Sequence, residues 1–258
     1  MDVSFLEGFS LIIGGVGAGI INTLAGNGSA ITLTLLMAMG LDANMANATN
    51  RVGAALQTLT SVLSLRRTPR TYKNIRDAFF FVIPSVIGSV IGAYVAVETP
   101  PMILKYIIGG VMVFLLFTLI KNPGKWLIGT DTSRSHKTRK NWIWFFLVGL
   151  YAGFIQMGIG VIMLAILVLI AKYSLRDGNI IKLFIAFFMT VPAFIVFALS
   201  GDIVWLPGVL LAIGAMIGAW IGARFLLYHS KANQITRWIL IGIIIVAIIR
   251  IFGPLFIS

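Results

Sequence analysis

Arg51 and Lys182 are the residues in this chain whose type and setting invite chemistry. Each is a cation inside an apolar run, and each closely follows polar side chains: Asn47, Thr49 and Asn50 before Arg51, and Asn179 before Lys182. A cation at the centre of a membrane-spanning helix costs roughly 2.5–3.5 kcal/mol on insertion scales. No Asp or Glu is expected deep in any apolar segment, since Asp42 and Asp177 stand at edges. The two cations therefore have no acidic partner legible in the sequence. Helix starts expected at Asn47 and Asn179 would add positive dipole ends and free N–H donors. Asn22, Thr23, Asn27, Gln57 and Gln156 are neutral hydrogen-bonding groups in or beside apolar runs. Together these groups suit a small oxyanion. The plainer readings are that Arg51 and Lys182 snorkel to the interface as topology anchors, and that Asn47 is an N-cap.

The chain around these residues is a membrane chain. Of its 258 residues, 59% are hydrophobic and only 11% charged, with a mean hydropathy of +1.00. A soluble domain of this size cannot hide so much apolar surface. The formal charge of +12 would suggest nucleic acid in a soluble protein. Here the basic residues cluster in loops, so topology explains them and no nucleic-acid partner is expected. The absence of cysteine removes disulfides, thiol catalysis and thiolate metal sites. His136 and His229 lack metal-ligand neighbours at useful spacing. No nucleophile–base pair falls inside an apolar segment, so neither catalysis nor a cofactor or metal is expected. The run Gly14–Gly19 lacks the Gly-Lys-Ser/Thr of a nucleotide loop.

About ten apolar segments are expected, near 5–25, 29–41, 46–65, 77–97, 102–120, 141–157, 160–173, 178–200, 206–228 and 236–253. The second and seventh are too short to span. Each follows a Gly-rich break, which suggests half-length arms of hairpins. The N-terminus has no basic n-region, so the first segment is expected to be retained. Arg66, Arg67, Arg70, Lys73 and Arg76 form one basic loop, and Lys121 to Lys140 another. Placing both in the cytoplasm puts the Glu98–Pro101 link and both termini outside. The expected class is an all-α polytopic protein of the cell membrane.

An odd number of segments per half inverts one half against the other. The expected division is a first repeat over 1–120, a basic cytoplasmic linker over 121–140, and a second repeat over 141–258. Three matches occur in order along both halves. Gly26-Asn27-Gly28 pairs with Gly158-Ile159-Gly160, Ala46–Asn50 with Gly178–Lys182, and Gly88-x-x-x-Gly92-Ala93 with Gly214-x-x-x-Gly218-Ala219. The Gly-x-x-x-Gly pairs read as close helix packing. Broken helices in inverted repeats are a recurring transporter plan.

Several of these stretches resemble the sulfite exporter TauE/SafE family. The resembling runs are Gly19–Ser29, Ala46–Arg51, Gly153-Phe154 with Gly158-x-Gly160, Asn179-x-x-Lys182, Phe197–Gly201 and Gly218–Arg224. The likeness covers nearly the whole chain. The family pattern usually has a third glycine where Asn27 stands and a proline where Thr34 stands. The resemblance implies a secondary transporter of sulfite, sulfonates or related small anions. The substrate-binding candidates are Asn22, Thr23, Asn27, Asn47, Thr49, Asn50, Arg51, Gln57, Gln156, Asn179 and Lys182. The expected partners are a small anionic substrate and the lipid bilayer, with a homodimer left open. An anion channel and a non-transporting assembly protein are the alternatives.

Overall fold

The computed structural model describes residues 3–24, 26–65, 69–121, 139–173 and 175–228, together with Ile245. Among them are nine helices and no strand: α1 (Phe5–Leu24), α2 (Ser29–Ala38), α3 (Ala43–Leu65), α4 (Pro69–Glu98), α5 (Pro101–Lys121), α6 (Arg139–Phe154), α7 (Ile159–Ala165, continued by a π-helical stretch Ile166–Ile170), α8 (Leu175–Ser200) and α9 (Trp205–Tyr228). Four helices carry windows long and apolar enough to cross a membrane: Phe5–Leu24, Asn74–Glu98, Asp177–Ser200 and Trp205–Arg224. The molecule is an all-α membrane protein. Outward faces are apolar, as lipid requires. On α4, Ile83, Ile87 and Ile91 are exposed at one-turn spacing, while Ser85 and Ser89 are buried.

The two Gly-rich breaks end helices as expected. The ten residues of α2 rise only about 15 Å, half the roughly 30 Å of a hydrocarbon core. α1 with α2, and α6 with α7, are therefore broken pairs. Gly26 (φ 81°) and Gly158 (φ 72°), matched in the sequence, both turn the chain in the left-handed region.

Small residues decide which helices pack. Gly15 and Gly19 of α1 sit against backbone around Leu211 and Ala215 of α9, and Gly214 and Gly218 return the contact against Ile12 and Val16. Gly88 and Gly92 of α4 meet Phe146 and Leu150 of α6, and Gly149 and Gly153 return it against Ser85 and Ser89. A Cβ at any of these would overlap backbone. Close backbone approach is how helices associate where lipid supplies no hydrophobic drive. So the opening helix of each half packs on the fourth helix of the other. α3 and α8 lie against each other between these pairs, joined by an apolar cluster of Ala48, Val52, Ala193, Val196 and Phe197 with parts of α4 and α9.

Some expectations change. α3 and α8 begin at Ala43 and Leu175, about a turn ahead of the expected starts. Asn47 and Asn179 therefore lie inside helices and offer no free N-terminal amides. The Asp42 carboxylate takes the N-cap role, accepting from the Met45 amide at 2.8 Å. Arg70, Lys73 and Arg76 fall on the opening turns of α4 and not in a loop. Asp77, also on α4, is buried, and its Oδ2 accepts from the Tyr173 hydroxyl at 3.2 Å. The carboxylates are thus not confined to Asp42 and Asp177. The expected tenth segment (236–253), Arg66, Arg67 and 122–138 of the basic linker lie outside the described residues, apart from Ile245.

Candidate functional site

A helix that stops inside a bilayer leaves its last carbonyls without intrahelical donors, and lipid offers none. α6 stops at Phe154, and all four of its final carbonyls are satisfied. The Tyr151 carbonyl accepts from the Ile155 amide at 2.8 Å. Arg51 supplies most of the rest. Its Nη1 donates to the Ala152 carbonyl at 2.6 Å, and its Nη2 to those of Gly153 at 2.7 Å and Phe154 at 3.3 Å. Asn47 Nδ2 completes the set, donating to the Phe154 carbonyl at 2.9 Å. A helix C-terminus carries about half a negative charge, so it helps to stabilise a buried guanidinium that has no carboxylate partner among the described residues. Arg51 also lies over the Phe197 ring, 4.8 Å from its centroid, and is wholly buried.

Lys182 makes the reciprocal contact. Its Nζ donates to the Thr23 carbonyl, next to the end of α1, at 3.4 Å. That is a long bond for a group with three donors. No carboxylate pairs with Lys182 among the described residues.

Lys182 lines a small cavity of about 30 Å³, bounded by α3 and α8 and by both hairpins. Asn22, Gln57 and Gln156 line it too, as do Ser29 and Thr58. The volume holds about two waters at roughly 10–15 Å³ each. Some of its polar atoms are committed. Asn22 Nδ2 donates to Gln57 Oε1 at 2.8 Å, and Asn22 Oδ1 accepts from the Gly28 amide at 2.6 Å. Gln156 Oε1 accepts from Arg51 Nη1 at 3.4 Å, while its Nε2 donates to Thr190. The Thr58 hydroxyl is taken by the Ala54 and Ala55 carbonyls. The Ser29 hydroxyl and the Gln57 amide nitrogen have no partner among the described residues.

A family model described as "Sulfite exporter TauE/SafE" matches residues 11–251. The chain belongs to this family. It is 26% identical over 242 residues to "Probable membrane transporter protein ORF9" of a Sinorhizobium species, covering 92% of this chain and 88% of that one. It is 27% identical over 223 residues to a "Probable membrane transporter protein" of Haemophilus influenzae, covering 83% of each. Against "Probable membrane transporter protein YfcA" of Escherichia coli K12 the identity is 24% over 229 residues, covering 85% of this chain and 80% of that one. The protein is a multi-pass membrane transporter of the TauE/SafE type.

In this TauE/SafE member the sequence-derived residues divide by environment. Asn22, Gln57, Gln156 and Lys182 meet at the cavity. Arg51 and Asn47 do not line it; they bind the end of α6, and Asn47 Oδ1 also accepts from Arg51 Nη2 at 3.3 Å. Thr23 bonds to the Gly19 carbonyl at 2.8 Å and to Ser61 at 3.1 Å. The Thr49 hydroxyl accepts the Val204 amide just ahead of α9 at 3.0 Å. Asn50 Oδ1 accepts from Thr32 at 2.5 Å, leaving its Nδ2 buried without a partner. Asn27, at the first hairpin tip, and Asn179 are buried, with both side-chain polar atoms of Asn27 and the Oδ1 of Asn179 unpartnered.

Ser29, Thr58, Ser61, Thr32 and Thr190 were not among the expected residues. A signal existed for two of them. Thr58 and Ser61 continue the helical stripe of Asn47, Asn50, Arg51 and Gln57 at spacings of three and four.

Proposed function

We propose that this protein is a secondary transporter moving small oxyanions, sulfite and sulfonates among them, across the cell membrane by alternating access. One observation carries the reading. Lys182 is buried, has no carboxylate partner among the described residues, and faces a small cavity beside the uncommitted amide of Gln57 and hydroxyl of Ser29. A buried ammonium with spare donors is stabilised by an anion that accepts from it. The family description supports sulfur oxyanions as the cargo.

Binding and release are non-covalent. Lys182 supplies charge, and Gln57 and Ser29 donate to oxygens. Asn22 holds Gln57 in place. Arg51 keeps the broken end of α6 fixed so that Gln156 stays at the wall. A cavity with room for about two waters is too small for an anion of four or more heavy atoms, so loading requires the hairpins to part. That favours a carrier over an open pore. The reciprocal packing of α1 on α9 and α6 on α4 supports two inverted repeats moving against each other. The basic loops would face the cytoplasm and both termini the outside.

The test is flux of sulfite and methanesulfonate into proteoliposomes. The wild type is expected to carry them, and Lys182→Gln to lose at least tenfold. No protein-dependent flux of any small oxyanion, or full flux in Lys182→Gln, would sink the reading.

A further inference from the structure

Asp42 and Lys105 face one groove and do not pair with each other. The groove has a volume of about 680 Å³, is half open, and lies between the end of α2, the start of α3 and the first turns of α5. No residue lines both this groove and the cavity beside Lys182. Both charged side chains are exposed, and no ion pair joins them among the described residues. One carboxylate oxygen of Asp42 accepts from the Met45 amide, which leaves the other free among the described residues. Most of the remaining wall is apolar, with Met37, Leu41, Pro101 and Met102 contributing.

The two charges stand at different depths. α3 and α5 both begin at this end of the molecule, and Asn44 Nδ2 donates to the Thr99 carbonyl at 3.0 Å. That bond sets the start of α3 level with the link between α4 and α5. Asp42 precedes α3, so its carboxylate stands at the outer rim. Lys105 comes four residues after Pro101, the first residue of α5, and so lies about 6 Å deeper. Met102 and Ile103, beside the groove, are exposed on the outer face of α5, where lipid is the solvent.

We propose that this groove binds a phospholipid with a zwitterionic headgroup ending in a primary ammonium, the phosphatidylethanolamine class. In such a lipid the ammonium is outermost, the phosphate lies below it, and the chains lie deeper still. The groove offers Asp42, then Lys105, beside an apolar wall. The phosphate accepts from the Lys105 ammonium, and the lipid ammonium donates to the free oxygen of Asp42. Both are charge-assisted bonds. A choline headgroup carries the same charges but has no N–H to donate, and a glycerol headgroup carries no cation for Asp42. Pockets of roughly 300–1,000 Å³ hold ligands of drug size, so this one takes a headgroup with the first carbons of its chains.

The full-length protein in detergent is mixed with equal amounts of phosphatidylethanolamine, phosphatidylcholine and phosphatidylglycerol of distinguishable isotopic mass and identical chains. Bound lipid is read by native mass spectrometry. The ethanolamine lipid is expected to bind at least about fivefold more than either of the others. Asp42→Asn keeps an N-cap oxygen for α3 while removing the charge, and is expected to bring the ethanolamine lipid down to the level of the choline lipid. Lys105→Gln is expected to lower binding of all three. Equal binding of the three lipids, or of none, overturns the headgroup recognition. A preference undiminished in both variants overturns its assignment to Asp42 and Lys105. Displacement of the lipid by an equal concentration of free phosphoethanolamine would make the occupant a soluble zwitterion and overturn the lipid site. A lipid-free dimer that Lys105→Gln disperses would make the occupant a second copy of the chain, with the same consequence.

Discussion

The amide of Gly160 donates to the carbonyl of Gly26 at 3.2 Å, so the tips of the two hairpins meet backbone to backbone. A Cβ on either glycine would overlap the other. Each half of the molecule thus closes against the break in the other, beside the cavity. Two different costs can be separated here. Gly160 needs only the close approach, whereas Gly26 also sits at φ 81°. Gly26→Ala should destabilise more than Gly160→Ala, by an additional 1–3 kcal/mol or so for the left-handed backbone. Gly17, with open space around its Cβ position, is the control. Gly17→Ala should be neutral or stabilising by up to about 1 kcal/mol. Melting temperatures in detergent read all three; equal effects at Gly17 and Gly160 would remove the hairpin contact as a structural constraint.

Arg51 is expected to behave as a structural residue. Removing it leaves buried carbonyls at the end of α6 short of donors, and each such group costs about 1–3 kcal/mol. Arg51→Gln should therefore lower the melting temperature markedly. Arg51→Lys should not restore it, because an ammonium on a single stem lacks the fork that reaches Ala152 and Gly153 together. A melting temperature unchanged in Arg51→Lys would show that charge alone suffices.

Lys182 should give the opposite pattern. Its ammonium makes one long bond to Thr23, so Lys182→Gln removes a weakly satisfied buried charge. Stability should hold or rise, while oxyanion flux falls at least tenfold. The contrast between the two cations is the informative result. Loss of folding in Lys182→Gln comparable to that in Arg51→Gln would make both residues pins for broken helices.

Much of this arrangement was legible in the residues. Hydropathy located the described helices, and Gly88/Gly92 and Gly214/Gly218 marked the packing faces, because small residues at four-residue spacing leave few other uses in lipid. The glycine breaks announced the hairpins. The division of labour between Arg51 and Lys182 was not legible. Both are cations two turns into apolar helices, and only the position of the α6 terminus decides which is consumed. That terminus reaches Arg51 across about a hundred residues of chain, a pairing no local spacing encodes. Asp77 was missed for a related reason. It lies at the head of an apolar run, where a carboxylate reads as an edge, and the Tyr173 hydroxyl that it accepts from is 96 residues away along the chain.

The ammonium of Lys182 also predicts how transport responds to voltage. Where Lys182 keeps its proton through the cycle, binding a monoanion cancels the charge of its ammonium, and the empty site carries one positive charge more than the loaded one. The empty return step therefore moves charge across the membrane. A potential of 100 mV is worth about 2.3 kcal/mol per elementary charge, which corresponds to a gradient of roughly fifty-fold. Proteoliposomes loaded with methanesulfonate should release it faster when a potassium diffusion potential makes the interior negative, and more slowly when it is made positive. The effect should vanish with the potential collapsed by an ionophore. Release that ignores the potential and requires anion on the far side would mean that the site never returns empty, and the carrier would then be an obligatory exchanger.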